Sequence, residues 1–362
     1  MEYIHHIYMG MVSHSDNEYV IVVPEEFKEK RNNYEWPHCN HIRFDYIPSD
    51  KAINANIGGM LSQSWKKTSL LSKYVKKYKP SKVFLITLIS YIPFLQFIIS
   101  SRYKIVAILY KIYLYEWKEY STCRKILELL KYKTIVWGGC VNTVLVLNDR
   151  SAATYLNKIY HTEKFRYLAD PYNNIYYKPR DVRRELNIPV NNKVFLHFGG
   201  LQGRKGTIKI LEAIELIPLQ EAKAMTFLFA GKVYEDIRIK FYEQKKKIDK
   251  RSQVLLFDDY CTKEFLADLC YSCDYILIPY QVTAQSSGLL GYAAHYGKPV
   301  IGPSSGLIGK MIRKYNLGVM LKSVSPENIA GSIRSTIPQC DTTDYKNMTK
   351  VSEFVDQIFQ FF

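Results

Sequence analysis

Cysteine is scarce and irregular in this chain, seven among 362 residues with no repeated spacing. That argues against a secreted disulfide scaffold and for a reducing compartment. Acidic residues are also in short supply, 34 against 50 lysines and arginines, for a formal charge of +16. The first 24 residues lack the basic stretch and apolar core of a signal peptide, so a cytoplasmic protein is expected. Zinc-finger spacing, an aromatic RNA-recognition signature and a helix-turn-helix pattern are missing, which sets nucleic acid aside as a partner. What is present is a 47% hydrophobic composition, enough for packed cores and too much for a disordered chain. At this length two domains are expected.

Positive charge concentrates in one stretch. Residues 1–50 carry 4 basic and 9 acidic groups, whereas residues 51–150 carry 17 and 4. The densest part holds Lys66, Lys67, Lys73, Lys76, Lys77, Lys79 and Lys82 around Leu70, Leu71, Tyr74, Val75 and Tyr78. Apolar residues at helical spacing ringed by lysines describe a basic amphipathic helix suited to an anionic membrane surface. A solvated helix packed on its own core has the same pattern, and both readings stand. On the first of them, Lys66, Lys67, Lys73, Lys76 and Lys77 dock the protein to the membrane.

No charge interrupts residues 83–101. The run is close to the ~20 residues of a membrane span, but Thr87, Ser90, Pro93, Gln96 and Ser100 break it. A buried strand over 83–89 leading into an apolar helix from about residue 91 is expected, with membrane insertion as the alternative.

From residue 193 the pattern is regular. Short β-rich runs at 194–198, 225–230, 254–257, 275–279, 299–302 and 318–321 alternate with helical patterns at 207–217, 234–249, 262–270, 288–295, 307–315 and 326–335. Strands apolar nearly throughout and separated by helices make a parallel sheet covered on both faces, a doubly wound α/β domain. The first half has the same style less clearly, with strand candidates at 19–23, 83–89, 105–109, 134–137 and 144–147. Pro171, Pro179 and Pro189 mark a connection near 171–192. The expected domains are 1–178 and 179–345. Residues 346–362 are expected to form a helix packing back on them, through the stripe Val351, Phe354, Val355, Ile358 and Phe359.

Tandem α/β domains bind ligands at the carboxyl ends of their strands. The loop after 194–198 reads Gly199-Gly200-Leu201-Gln202-Gly203-Arg204-Lys205-Gly206. Its glycines let the backbone approach an anion, and Arg204 and Lys205 neutralise a diphosphate. After 275–279, Ser286, Ser287 and Gly288 open a helix whose unpaired N–H groups favour a phosphate. An ordinary serine N-cap explains that second loop alone; the two loops in one sheet point to a nucleotide diphosphate or a similar anion. Cys270 and Cys273, at two-residue spacing with no second pair, read as structural. His5, His6 and His14 are expected at the surface, with lining of the cleft as the alternative.

The run Phe198 to Gly206 resembles the glycine-rich Arg…Lys-Gly loop of glycosyltransferase family 4 and its relatives. Further likenesses follow in order: Phe229-Ala230-Gly231, then Glu264, Asp274 and Pro279, then Gly297-Lys298-Pro299-Val300-Ile301. The resemblance covers roughly 165–336. It implies two Rossmann-like domains facing across a cleft, a nucleotide-sugar donor of UDP or GDP type, retention of anomeric configuration, and no cofactor. It also implies that Lys205, with Arg204, acts on the donor diphosphate and that Gly199, Gly200, Gly203, Ser286, Ser287, Gly288 and Tyr292 surround the donor.

The chain departs from the family where an arginine is expected, at Gly200, and where two glutamates are expected, at Ala284 and Tyr292. No Asp-x-Asp occurs, so the metal-dependent fold of other glycosyltransferases lacks its ligand motif, and metal is expected to play no part. The leading expectation is a glycosyltransferase adding sugar to a lipid-linked glycan acceptor for capsule or O-antigen, peripheral on the inner membrane face. A degenerate partner subunit and a nucleotide-sugar epimerase of the same fold are the alternatives.

Overall fold

The computed structural model describes residues 2–32, 34–172, 177–335 and 340–361. The chain divides into two compact units, one of Met1–Asp170 with Val351–Phe362, the other of Pro171–Lys350. The division falls ahead of position 178, and residues 173–176 of the expected connection lie outside the described residues.

In the first unit β1 (Tyr19–Pro24) pairs in parallel with β2 (Ile42–Ile47). Strands β3 (Lys82–Leu85), β4 (Lys104–Leu109), β5 (Val141–Leu147) and β6 (Phe165–Leu168) form a second parallel sheet in that order. Ile105, Val106, Ala107, Ile108 and Leu109 of β4 are all buried, as a strand covered on both faces requires. Helix Val351–Phe359 closes the unit: Phe354 and Ile358 are buried, and the Phe359 ring stacks on His14 at 4.3 Å.

Several expectations for this half are corrected. Residues 134–137 are the end of helix Thr122–Trp137, not a strand; Glu128, Lys131, Tyr132 and Ile135 form its buried helical stripe. The strand expected over 83–89 stops at Leu85. Instead of one apolar helix, a 3-10 turn at Ile89–Tyr91 and a helix at Leu95–Ile98 follow, because Pro93 brings no N–H to a helical ladder. No helix among the described residues is long and apolar enough to cross a membrane. Helix Glu2–Ser13 and strands β2 and β6 were not expected. His6, on that helix, is buried rather than superficial, and His5 Nε2 lies 3.0 Å from the Glu35 carbonyl.

The second unit carries β7 (Lys193–Phe198), β8 (Met225–Ala230), β9 (Gln253–Phe257), β10 (Tyr275–Leu277), β11 (Val300–Pro303) and β12 (Gly318–Leu321). All are parallel, in the order β12-β11-β10-β7-β8-β9. All six residues of β8 are buried, and Phe195, Phe227, Phe229 and Phe241 centre the core. Six strands and the intervening helices match the expected series, with ends shifted by a few residues. The largest shifts are in helix Arg238–Ile248, which starts later than 234, and in β10, which stops at Leu277.

Candidate functional site

The sheet of the second unit reverses direction between β7 and β10. From β7 the chain winds outward through β8 and β9, then returns to the other side of β7 and winds out through β11 and β12. Helix-covered sheets leave a crevice beyond the carboxyl ends of the strands at such a point. The segments that leave β7 and β10 there are the glycine loop and residues 278–288.

Two glycines set the loop's path. At Gly231 (φ +131) a Cβ would sit 2.1 Å from the Gly199 carbonyl oxygen, so the turn after β8 lies directly against the start of the loop. At Gly206 (φ +75) it would sit 2.1 Å from the Pro279 carbonyl oxygen, so the loop's end lies against the chain leaving β10. Between these contacts the backbone is tied down. Leu201 N–H donates to Lys232 O (2.8 Å), Gly203 N–H to Asp236 Oδ2 (2.9 Å), and Gln281 N–H to Arg204 O (2.9 Å).

Lys205 is presented by this frame. Its ammonium lies 5.6 Å from the centre of the Tyr280 ring and makes no ion pair or hydrogen bond among the described residues. Desolvation, then the neighbouring Arg204 charge, lowers its pKa to about 8. A cation held partly out of water without a counter-charge is a site for an anion. Arg204 is exposed, with Nε donating to Gln202 Oε1 at 2.7 Å.

Beneath the loop lies His197, fully buried, with Nδ1 2.8 Å from Leu277 O and Nε2 3.0 Å from Thr207 Oγ1. Burial lowers its pKa to about 4, so the ring is neutral. A carbonyl only accepts, so Nδ1 carries the proton, and Nε2 and the Gln202 carbonyl share the single Thr207 hydroxyl hydrogen. The same hydroxyl lies 3.1 Å from Gln202 O. This joins β7, β10 and the loop's base, and the sequence carried no signal for it, since a lone histidine in an apolar strand has no spacing to read.

Of the other residues singled out by sequence, Ser287 is buried and hydrogen-bonded with Tyr280, whose ring lies beside Lys205. Ser286 is half-buried, and Gly288 is the exposed N-cap of helix Leu289–His295. Gly200 faces Tyr234, 2.9 Å from where its Cβ would be. The Tyr292 ring packs on Phe198 (5.3 Å) and Tyr172 (4.9 Å). Ala284 is buried.

Asp274 accepts from Val194 N–H and from Arg183 Nη2, both at 2.8 Å, which fixes strand starts rather than chemistry. Cys270 and Cys273 are buried with thiol pKa values pushed up, that of Cys273 to about 12. No group of three or more His, Cys, Asp or Glu able to hold a metal lies among the described residues. A cavity of about 530 Å³ beside Lys193, Asp274 and Lys298 lies at the amino ends of the strands, away from the loop.

Lys66, Lys67, Lys73, Lys76 and Lys77 belong to the first unit, on helix Met60–Tyr78. Lys73 and Lys76 are exposed. Lys66 Nζ donates to Asn54 and Ile57 carbonyls, and Lys77 pairs with Asp45 at 2.7 Å.

Residues 179–349 match the family described as Glycosyl transferases group 1. A search of curated protein sequences found no match. Among solved structures, HepE of Anabaena in complex with UDP and glucose is 16% identical, with a TM-score of 0.65 over 94% of this chain and 90% of that one. WaaG, a glycosyltransferase involved in lipopolysaccharide biosynthesis, is 16% identical (TM-score 0.61, 95% of each chain). Sucrose-phosphate synthase from Thermosynechococcus elongatus is 14% identical (TM-score 0.66, 99% of this chain and 91% of that one). At these identities the likeness is one of fold. Residues 179–349 are thus a group 1 glycosyl transferase domain, carried by a chain with the two-unit fold of the B-type glycosyltransferases.

Proposed function

We propose that this glycosyltransferase moves a sugar from a nucleotide-diphosphate donor to a lipid-linked saccharide in surface-polysaccharide assembly, with retention of anomeric configuration. The observation that carries the donor half is Lys205, an unpaired, partly desolvated ammonium at the strand carboxyl ends where the sheet reverses. Charge of that kind stabilises a departing diphosphate as the glycosidic bond breaks, the task that metal ions perform in other folds. Arg204 adds a second cation in place of the arginine the family has at Gly200. The acceptor hydroxyl then passes its proton to the departing phosphate, so no strong base is required. HepE was solved with UDP and glucose, and WaaG acts in lipopolysaccharide biosynthesis; both agree with this assignment of donor and pathway class.

A degenerate partner subunit remains the second reading, because the family's two glutamates are replaced by Ala284 and Tyr292. A thermal-shift titration with UDP, GDP, CMP and their sugar conjugates separates the two. A ligand at 100 times its Kd stabilises by about 2.7 kcal/mol, an easily read rise in melting temperature. The donor reading expects one nucleotide diphosphate to produce it; no rise with any nucleotide favours the partner reading.

For the membrane, the support is helix Met60–Tyr78, with Lys73 and Lys76 exposed and Met60, Leu61 and Trp65 exposed towards its start. Each lysine near an anionic surface contributes about 1 kcal/mol. Reversing Lys73, Lys76 and Lys77 together to glutamate is therefore expected to weaken flotation with phosphatidylglycerol vesicles by well over tenfold, and salt to weaken the wild type. Unchanged flotation of the triple variant refutes docking through this helix.

A further inference from the structure

We propose that the first unit holds a subsite for an anionic pyranose, a sugar ring bearing a carboxylate or a phosphate, between Arg31 and Trp36. The proposal deepens the reading above and rests on its saccharide acceptor. It starts from a cavity of about 430 Å³ lined by Lys28, Arg31, Asn32, Tyr34, Trp36 and Tyr46. Its position fits a ligand. Lys28 and Arg31 lie on the helix Phe27–Arg31 that follows β1, and Tyr46 lies near the carboxyl end of β2.

The lining combines three aromatic rings with two cations, and one of the cations, Arg31, is not spent on a carboxylate. The Arg31 guanidinium lies 4.2 Å from the Phe44 ring centre and 5.4 Å from that of Trp36. It donates once, to the Tyr46 hydroxyl at 3.2 Å, and no carboxylate among the described residues pairs with it. A guanidinium has five N–H donors in a plane that matches a carboxylate or phosphate edge, so ring faces hold this one oriented while most of its donors remain for a ligand.

Lys28 lies 4.6 Å from the Tyr46 ring centre. It also forms a long ion pair with Glu25 (3.9 Å), whose carboxylate accepts from the Ser49 N–H and hydroxyl as well. Trp36 is held by its indole N–H on Arg31 O (2.9 Å) and by edge contacts with Tyr8, Phe27 and Phe44. Arg31 and Trp36 are thus held in place by ring packing and hydrogen bonds, whereas a solvated charge run leaves its cations free to move. The lining is also cationic within a segment, residues 1–50, that is otherwise acidic. Aromatic faces take the axial C–H face of a pyranose and the two cations take its charge; a neutral sugar leaves that charge unused.

The test titrates the full chain with methyl glucuronide, glucose 1-phosphate, methyl glucoside, inorganic phosphate and UMP, following tryptophan fluorescence. The signal is assigned by its loss in Trp36→Phe. A saturable response to an anionic sugar is expected, about tenfold weaker in Arg31→Gln, with much weaker responses to the other three. Preference between glucuronide and glucose phosphate identifies the anion. An equal response to the neutral glucoside, to phosphate alone or to UMP overturns the proposal, as does unchanged affinity in Arg31→Gln. If Arg31→Gln melts below the wild type, the exposed Lys28→Gln supplies the same comparison. The UDP-dependent melting shift is measured alongside. A UDP shift without a sugar response refutes this subsite alone, and a sugar response without a UDP shift refutes the donor reading alone.

Discussion

Lys205→Ala is expected to lower kcat/KM for the nucleotide sugar about 10²–10³-fold, the usual cost of removing one preorganised charge from a departing anion. The ligand-free melting temperature should hold or rise, because the variant no longer keeps an unpaired ammonium partly out of water. That separates a lost site from a damaged fold. The pH profile gives a second readout. The folded pKa of Lys205 is about 8, below the ordinary lysine value of 10.5. Between those two values the unfolded chain binds the extra proton, so ligand-free stability gains from this group as pH rises. Donor capture runs the other way: kcat/KM should fall as pH rises through 8, and kcat at saturating donor should hold higher, since a bound diphosphate raises the pKa again. A loss smaller than about tenfold in Lys205→Ala, or a fall above pH 8 that persists in it, removes Lys205 from the donor site.

Gly206→Ala is expected to destabilise the second unit by about 3 kcal/mol or more. A side chain at φ +75 costs roughly 1–2 kcal/mol. The larger cost is the Pro279 carbonyl, 2.1 Å from the new carbon, which is backbone and has to move. Moving it parts the glycine loop from the chain leaving β10 and breaks the Gln281–Arg204 backbone bond. For a unit of this size the melting temperature should fall by about 6–12 °C, and the nucleotide-dependent shift should be lost with it. Gly288→Ala is the control, since its Cβ meets nothing within 4 Å and its φ is −57, so its melting temperature should stay within about 2 °C of wild type. Equal melting for both variants refutes the account of how the two segments are held together.

How much of this was legible depended on burial. Strands β7 and β8 read directly because both faces are covered, which leaves short apolar runs bounded by turns. Strand β2 did not, since Arg43 and Asp45 alternate with its apolar residues on a half-exposed ribbon. The run Thr134-Ile135-Val136-Trp137 has strand-like composition, yet it sits at the end of a helix whose buried stripe began at Glu128, and tertiary packing overrode local preference. At the site, Lys205 was legible because glycines and a basic pair stand together in sequence. Tyr280 and Asp236 were not, since each meets the loop only through strand order, which no local spacing encodes, and the same holds for the bond from His197 to Leu277.

The return of helix Val351–Phe359 to the first unit bears on the order in which the protein is made. Residues Tyr3, Gly10 and His14 pack against Phe354, Val355 and Phe359, while Pro171–Lys350 forms a unit whose strands and core all lie within that span. On the ribosome, therefore, the unit begun before Pro171–Lys350 is completed only after it. The donor-type unit has all its strands before helix Val351–Phe359 emerges, and until then the face of helix Glu2–Ser13 that this helix covers stays open to water and to chaperones.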